Sequence, residues 1–432
     1  MERENVVYLP TGETMADSVP TIRFGVTGVS GFSERHLEWV ERAGAAGGPV
    51  KLEAVALIVE NEATRAVARK LRERGVIVVV GYDELLGLHG AVDVVTLPVG
   101  IHLHEPLAVK ALRAGYSVYL EKPVAGSVGE IASLSEAQEN AAGRLLIGFQ
   151  TMYQPALWEL KRRLVSGLIG RIGKVVITLP WGRPESYFSR NAWAGKIRFN
   201  GAMLYDSPMS NAGGHFLNTG FFLAGRTVRE SAVPVGVEAE LYRANAIESA
   251  DNCFARFHTD NGVEVVYLAS LSCRGQSDPT IDIIGDAGRV VVTDKPERMI
   301  APWTEIDAGG NSREVGGDIA CPEPFACVAR AVADPEYGQV STLKTGCLVT
   351  VANQMAFVAS PIVDLPLFAL SEMVVGGKRG VHVVDGDGVL QELRAECALP
   401  NETGRYPWSV PAGHLPEREA RSLLEQTGID FL

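Results

Sequence analysis

Between Thr21 and about residue 149 the chain alternates two textures. Short unbroken apolar runs ("TIRFGVTG", "LEAVALIVE", "VIVVV", "AVDVVTLPV", "SVYLEKP", "RLLIGF") are separated by segments whose apolar residues recur three or four apart. Those segments include "SERHLEWVERAGAAG", "NEATRAVARKLRERG", "HEPLAVKALRAG" and a stretch over about 128–142. The second spacing is helical, and Val/Ile/Leu runs without polar alternation suit strands covered on both faces. Strand and helix in strict alternation predict an α/β fold, a Rossmann-type doubly wound parallel sheet.

After Gln150 the pattern changes. "PALWELKRRLVSGLIGRIGKVVITLPW" reads as helix, turn and strand, and β-like runs follow in "VPVGVEAELYRA", "DNCFARFHTD", "GVEVVYLASLSC" and "TIDIIGDAGRVVVT". Asp260-Asn261-Gly262 joins two of them with a hairpin signature. A C-terminal α+β domain is predicted, with a largely antiparallel open sheet and helices on one face. Two more helices, about 323–334 and 342–359, are expected to pack back on the first domain. The expected division is a leader at 1–20, a first domain at 21–149, a second at 150–364, and an extension of the second at 365–432. The pattern assigns no elements to that extension.

At 432 residues, with 46% hydrophobic and 21% charged residues, the composition is that of a soluble globular protein with room for two cores. A net charge of −12 argues against nucleic acid or an anionic membrane as partner. No apolar run approaches a membrane span, and the first twenty residues lack a secretory signal. The six cysteines form no C-x-x-C pair and stand near no histidine at ligand spacing, so no metal site is expected. Reduced thiols in a cytoplasmic protein follow.

The turn after the first strand is where a dinucleotide pyrophosphate would rest on backbone N–H groups. It reads Gly28-x-Ser30-x-x-Ser33, with Gly31 and Phe32 opening the helix, so serines stand where two of three glycines are usual. Glu60, read as the end of the second strand, would accept the adenosine ribose hydroxyls. A carboxylate there repels a 2′-phosphate, which favours NAD over NADP.

Glu121-Lys122-Pro123 closes the fifth apolar run after an "ALRAG" helix. With Gly25, Gly28, His36, Glu60, Pro98 and the later "GGHFLNTGFFLAG", it resembles the glucose–fructose oxidoreductase / inositol dehydrogenase / rhizopine catabolism (Gfo/Idh/MocA) family over most of residues 21–360. The resemblance implies NAD as cofactor, bound by Gly28, Ser30, Gly31, Phe32, Glu60, Pro98, His104, Glu121 and Lys122, and a cis Lys122–Pro123 bond. It also implies a homodimer or homotetramer joined through the C-terminal sheet. Lys122, at the carboxyl edge of the sheet, would hold the reacting oxygen. His102 and His104 form an H-x-H without a third ligand nearby, and helix capping is the expected role of at least one.

The family's second motif has Asp four residues before its catalytic histidine. Here the sequence is Asn211-Ala-Gly-Gly-His215, so His215 falls on the proton-transfer position without that carboxylate. Its pKa should then lie below that of a His–Asp pair. Asn211 could orient the ring or hold a substrate hydroxyl, and Asp206 could supply the missing charge if its loop folds back. A further loop, "WGRPESYFSRNAWAGK", offers Trp181, Tyr187 and Trp193 to sugar C–H faces, and Arg183, Arg190, Asn191 and Lys196 to hydroxyls or a carboxylate.

These residues point to an NAD-dependent oxidoreductase moving hydride to or from a secondary alcohol of a sugar, sugar acid or cyclitol. The substrate side comprises Lys122, Trp181, Arg183, Tyr187, Arg190, Trp193, Asn211 and His215. Two alternatives stay open: an NAD-dependent glycosidase, and a non-catalytic NAD- and sugar-binding sensor.

Overall fold

The computed structural model describes residues 19–275, 277–293 and 300–431. The leader expected at 1–20 therefore lies outside the described residues, apart from Val19 and Pro20.

Six parallel strands form the first sheet: β1 (Ile22–Thr27), β2 (Val50–Leu57), β3 (Ile77–Val80), β4 (Val94–Leu97), β5 (Ser117–Leu120) and β6 (Leu145–Ile147). They are ordered β3-β2-β1-β4-β5-β6. The chain winds outward from β1 to β3 and then crosses to β4, so the order reverses between β1 and β4. A crevice opens there at the carboxyl ends. Helices α1 (Phe32–Ala45), α2 (Glu62–Glu73), α3 (Tyr82–Leu86), α4 (His104–Arg113) and α5 (Val128–Glu139) supply the crossovers. Apart from the edge strand β3, the strands are largely buried on both faces, as their unbroken apolar runs require.

The second half begins with α6 (Pro155–Val165), β7 (Ile172–Pro180), α7 (Glu185–Phe188), a two-stranded ribbon of β8 (Arg198–Phe199) and β9 (Ala202–Met203), and α8 (Gly214–Ala224). Strands β10 (Pro234–Arg243), β11 (Asn252–Thr259), β12 (Glu264–Ser270), β13 (Thr280–Gly285), β14 (Gly288–Thr293), β15 (Trp303–Asp307) and β16 (Ser312–Val315) then build on β7. Helices α9 (Pro324–Ala333) and α10 (Leu343–Ala359) and strand β17 (Ile362–Asp364) complete this part. The ten-stranded sheet runs β16-β15-β14-β13-β7-β12-β11-β10-β17, with a late strand also on β10. Pairing is antiparallel except at β7–β12 and β10–β17. Gly262, at φ 83°, makes the β11–β12 turn that Asn-Gly announces.

Both expected helices pack back on the first domain. Phe325 and Val328 of α9 join the cluster around Phe24 and Val26, and Ile147 N–H donates to Ser341 O just ahead of α10.

The extension has structure: β18 (Leu370–Val375), β19 (Lys378–Val383), α11 (Gly386–Glu396), α12 (Pro400–Thr403), β20 (Gly413–Leu415), which pairs with β10, and α13 (Glu417–Glu425). Alternation along β12 shows what it does. Val265, Tyr267 and Ala269 face the helical layer, while Val266 and Leu268 face Val383, Leu390, Leu393 and Leu399 of the extension. The central strands of the sheet are thus covered on both faces rather than one. That far face, over β7 and β10–β12, is occupied by this chain's own residues. Among the described residues no helix is long and apolar enough to cross a membrane, and all six cysteines are free thiols.

Candidate active site

At the switch point, Gly28 (φ 93°) and Gly31 (φ 65°) turn the chain from β1 into α1. Ser33 Oγ donates to Thr27 O at 3.0 Å, and a Cβ on Gly28 would lie 2.5 Å from that hydroxyl. The serine thus locks a turn that only glycine can make at position 28. Gly31 has no side chain with which to cap α1, and Ser30, Gly31 and Phe32 are exposed around the helix start. This suits a pyrophosphate on free N–H groups. Glu34, which accepts from Gly31 N–H at 3.2 Å, opposes an anion there. Pro98 directly follows β4 and is buried.

Glu60 is placed differently from the sequence reading. Strand β2 ends at Leu57, and Glu60 stands three residues beyond it, exposed. Arg65, one turn into α2, draws its carboxylate to 3.3 Å.

The Glu121-Lys122-Pro123 segment leaves β5 with the expected cis Lys122–Pro123 bond. Glu121 does not face the crevice. Buried, it meets His36 Nε2 at 3.1 Å, Gln150 Nε2 at 2.9 Å and Lys122 N–H at 3.2 Å. Burial pushes its carboxyl up, but the His36 hydrogen bond and the charge of Lys122 hold it below the usual range. Its role is to anchor the end of β5 to α1, which corrects its assignment as a cofactor ligand. His104 needs the same correction. It is buried at the start of α4, with Nδ1 2.7 Å from Pro123 O and Nε2 3.2 Å from Val99 O, and it braces the Lys122 turn from behind. His102 packs edge-on to Phe199, and Gly100 lies against both its ring and Trp193 Nε1.

Lys122 points the other way, across to the loop before α8. Its Nζ donates to Asn211 O at 2.8 Å and Asn211 Oδ1 at 3.2 Å. Asn211 Nδ2 in turn donates to Asp206 Oδ1 at 2.9 Å, and Gly195 N–H holds Asp206 Oδ2 at 2.6 Å. The loop does fold back, but Asp206 reaches Asn211 and, through it, Lys122, rather than His215. Burial raises the Asp206 carboxyl above the usual range, against the Gly195 N–H and Arg190. Burial also lowers Lys122, which Glu121 and then Asp206 partly offset.

His215 opens α8, edge-on to Phe149 with ring centroids 5.6 Å apart. It has no hydrogen-bond partner among the described residues. Burial, reinforced by the charge of Lys122, pushes it down to about 3, so the ring is a neutral acceptor. A Cβ on Gly213 would lie 1.9 Å from Tyr267 Oη, so the Gly-Gly before the histidine is what lets the helix start so close to β12. Asn218, one turn on, is buried with both amide atoms unpartnered among the described residues.

The aromatic loop forms a ladder. Arg183 lies 5.0 Å from the Trp181 ring and 5.1 Å from Tyr187, and Arg190 lies 4.0 Å from Tyr187 and 5.4 Å from Trp193. Trp181 meets Phe216, the neighbour of His215, edge-on at 5.6 Å. Arg190 comes within 3.9 Å of Asp206. Asn191 Oδ1 accepts from Trp193 and Ala194 N–H and shapes the loop, and Lys196 Nζ lies over Phe199. Sequence reasoning missed Gln150 and Phe149, just past β6; only their position at a strand's carboxyl end could have flagged them. No cluster of three or more His, Cys, Asp or Glu among the described residues could hold a metal.

Comparisons with known proteins agree with this architecture. Residues 22–149 match the model of an oxidoreductase family with an NAD-binding Rossmann fold, and residues 157–291 match the GFO/IDH/MocA C-terminal domain. The inositol 2-dehydrogenase of Rhizobium meliloti is 24% identical over 204 residues, 46% of this chain and 56% of that protein. The inositol 2-dehydrogenase/D-chiro-inositol 3-dehydrogenase of Halalkalibacterium halodurans is 28% identical over 151 residues, 35% and 42% of the two chains. The chain thus spans about half the length of these curated relatives. Among solved structures, WlbA dehydrogenase from Chromobacterium violaceum, with NADH and UDP-GlcNAcA, superposes with a TM-score of 0.64 at 19% identity, covering 79% of this chain and 94% of that one. A levoglucosan dehydrogenase complex with NADH gives 0.63 at 17% identity, covering 77% and 95%. At such identities the likeness is one of fold. With both domain models matched in order along one chain, the protein belongs to the GFO/IDH/MocA family.

Proposed function

We propose that this chain is an NAD-dependent oxidoreductase acting on a secondary alcohol of a sugar, sugar acid or cyclitol. The observation that carries this reading is the convergence of Lys122, Asn211 and His215 at the carboxyl edge of β5, beside the turn after β1. Bound NAD would supply the hydride acceptor. Gly28, Ser30, Gly31 and Phe32 would hold its pyrophosphate, and Glu60 favours the unphosphorylated ribose, with Arg65 beside it a group suited to NADP.

The residues divide the remaining work. Lys122 would exchange the Asn211 carbonyl for the substrate oxygen and stabilise the charge that develops as hydride leaves. Asn211 and Asp206 fix the ammonium, so little reorganisation is needed at the moment of reaction. His215, neutral and without a partner, accepts the hydroxyl proton. Its low basicity comes second from the charge of Lys122, and a forming alkoxide beside that ammonium cancels this component. The protonated ring becomes more favourable as the reaction advances.

A panel of sugars, sugar acids and cyclitols screened for NADH formation, with NADP in parallel and Lys122→Ala as the blank, tests this. Turnover abolished in Lys122→Ala is the expected result. NAD that binds but is reduced by no substrate would replace the enzyme with a sensor, and nitrophenyl glycosides cleaved without net NADH would replace it with a glycosidase.

A further inference from the structure

We propose that the arginine–aromatic ladder is an oxyanion subsite, and that the substrate carries a carboxylate or phosphoryl group bound by the Arg183 guanidinium. This rests on the oxidoreductase reading for where the reacting carbon sits, but the ladder's own charge balance carries it.

Arg183 has ring faces on its guanidinium and no carboxylate among the described residues, and its Nε is buried without a partner. Other half-buried arginines, Arg256 with its own unpartnered Nε among them, have carboxylates on the guanidinium. Arg23 meets Asp93, Arg163 meets Glu159 and Glu305, Arg256 meets Glu238 and Glu402, and Arg394 meets Asp282. The nearest carboxylate in sequence, Glu185, turns away to Arg379 of β19. A shielded guanidinium with an orphaned N–H is costly unless something supplies the missing acceptor.

The neighbouring charges sharpen the deficit. Burial pushes the Arg183 guanidinium down, and Arg190, which shares the Tyr187 ring with it, lies close enough for its charge to push the same way. Asp206 already serves Asn211, Gly195 and Arg190, and Glu121 is engaged by His36 and Gln150. Among the described residues, Lys122, Arg183 and Arg190 therefore share two carboxylates, Asp206 and Glu121, neither of which reaches Arg183. One negative charge on the ligand restores the balance, and the planar fork of Arg183 matches the geometry of a carboxylate or phosphate. The stacked rings also hold the fork in place, so little side-chain entropy is lost on binding. The ladder sits beside the reacting centre. Trp181 touches Phe216, next to His215, and Arg190 approaches Asp206, which holds Asn211 and so Lys122. Aromatic faces for the ring and a cation for its acidic substituent thus line one continuous strip of the loop.

The test uses the full chain saturated with NAD. Initial rates and calorimetric binding are compared for glucose, myo-inositol, a hexuronate, a hexose phosphate and a UDP-hexuronate, in wild type, Arg183→Gln and Arg183→Lys. The anionic compounds should exceed their neutral counterparts at least about tenfold in kcat/KM. Arg183→Gln should shrink that ratio by about 10- to 100-fold, chiefly through KM, as expected for losing a hydrogen bond to a charged group. Arg183→Lys keeps the charge, should recover part of the ratio, and serves if the glutamine variant fails to fold. Which anion gains most separates carboxylate from phosphoryl. Equal rates for neutral and anionic sugars, or a loss in Arg183→Gln shared equally by both, overturns the subsite while leaving the dehydrogenase intact. A hexuronate that binds wild type but not Arg183→Gln, without reduction of NAD, keeps the subsite and overturns the reaction. No binding of any anionic sugar overturns the subsite.

Discussion

Helix α8 has a lysine at each end, and the two are held in different company. At its start, Lys122 reaches over from β5 to the carbonyl and amide oxygens of Asn211, with Glu121 and Asp206 close enough to support its charge. At its end, Lys161 of α6, fully buried, donates to Phe222 O and Gly225 O at 2.5 Å each. Phe222 O also accepts from Gly225 N–H at 3.2 Å, and Lys161 adds a second donor to it and one to Gly225 O, so it works as a C-cap. Burial pushes Lys161 down to about 7, with only Glu230 pulling back. One lysine keeps carboxylates nearby and partners that a ligand could replace. The other spends its donors on backbone in the dry interior.

The difference predicts that truncating each lysine breaks a different property. Lys122→Ala should cost at least about 10²–10³ in kcat, the scale of losing one donor to a developing oxyanion, with the melting temperature nearly unchanged. Lys161→Ala should do the reverse. The lost donors to Phe222 O and Gly225 O and a cavity should cost about 2–4 kcal/mol of stability, read by denaturant unfolding, with kcat of the folded fraction close to wild type. Equal damage to both properties in both variants would erase the distinction.

Asp206→Asn is the next largest test, because it asks whether the support around Lys122 is electrostatic. We expect kcat to fall about 10- to 100-fold, within the range a positioned charge contributes. The pH profile separates this from mere loss of packing. His215 lies near 3, so kcat/KM for oxidation should not fall through pH 6.5, where an ordinary imidazole protonates. Asp206 is raised above the usual carboxylate range, so its protonation gives the acid limb, and activity falls as pH drops through it. That limb should vanish in Asp206→Asn. A wild-type profile with a protonation near 6.5 would show instead that His215 is not held neutral.

How much of this was legible in the sequence depends on how local the signal is. The doubly wound sheet, the Asn-Gly hairpin and the positions of Lys122 and His215 follow from periodicity and short motifs. What failed was the direction in which side chains point. Glu121 adjoins Lys122 at a strand end, and because side chains alternate in direction along extended chain, its carboxylate faces His36 and Gln150 while Lys122 faces the crevice. His104 opens a helix at the nucleotide edge, yet its ring turns inward to Pro123 and Val99. Asp206 could be named a candidate, but its partner depends on Gly195 N–H eleven residues earlier, a contact no spacing rule supplies. The extension was illegible because Leu365, Val383, Leu390, Leu399 and Trp408 follow neither the helical nor the strand period along their own segment, and their burial is decided by the far face of the sheet. The one clue lay in β12, whose run "VVYLAS" lacks the polar alternation of a strand with a wet face.

The smallest expected effect bears on why Lys161 is buried at all. Its folded pKa is depressed from 10.5 to about 7, so between those values the unfolded chain binds a proton that the folded chain does not. Stability then rises with pH across that window and is flat with respect to this group below it, where both states are protonated. Lys161→Met removes the titration while filling much of the same volume. The gap in unfolding free energy, wild type minus Lys161→Met, should therefore widen from pH 7.5 to 9 with a slope of up to about 1.4 kcal/mol per pH unit. Conditions of constant salt keep surface charges from mimicking it. A constant gap would mean that Lys161 stays charged in the folded protein, held by carbonyl dipoles alone. The two lysines of α8 would then differ in what a ligand can reach, but not in charge.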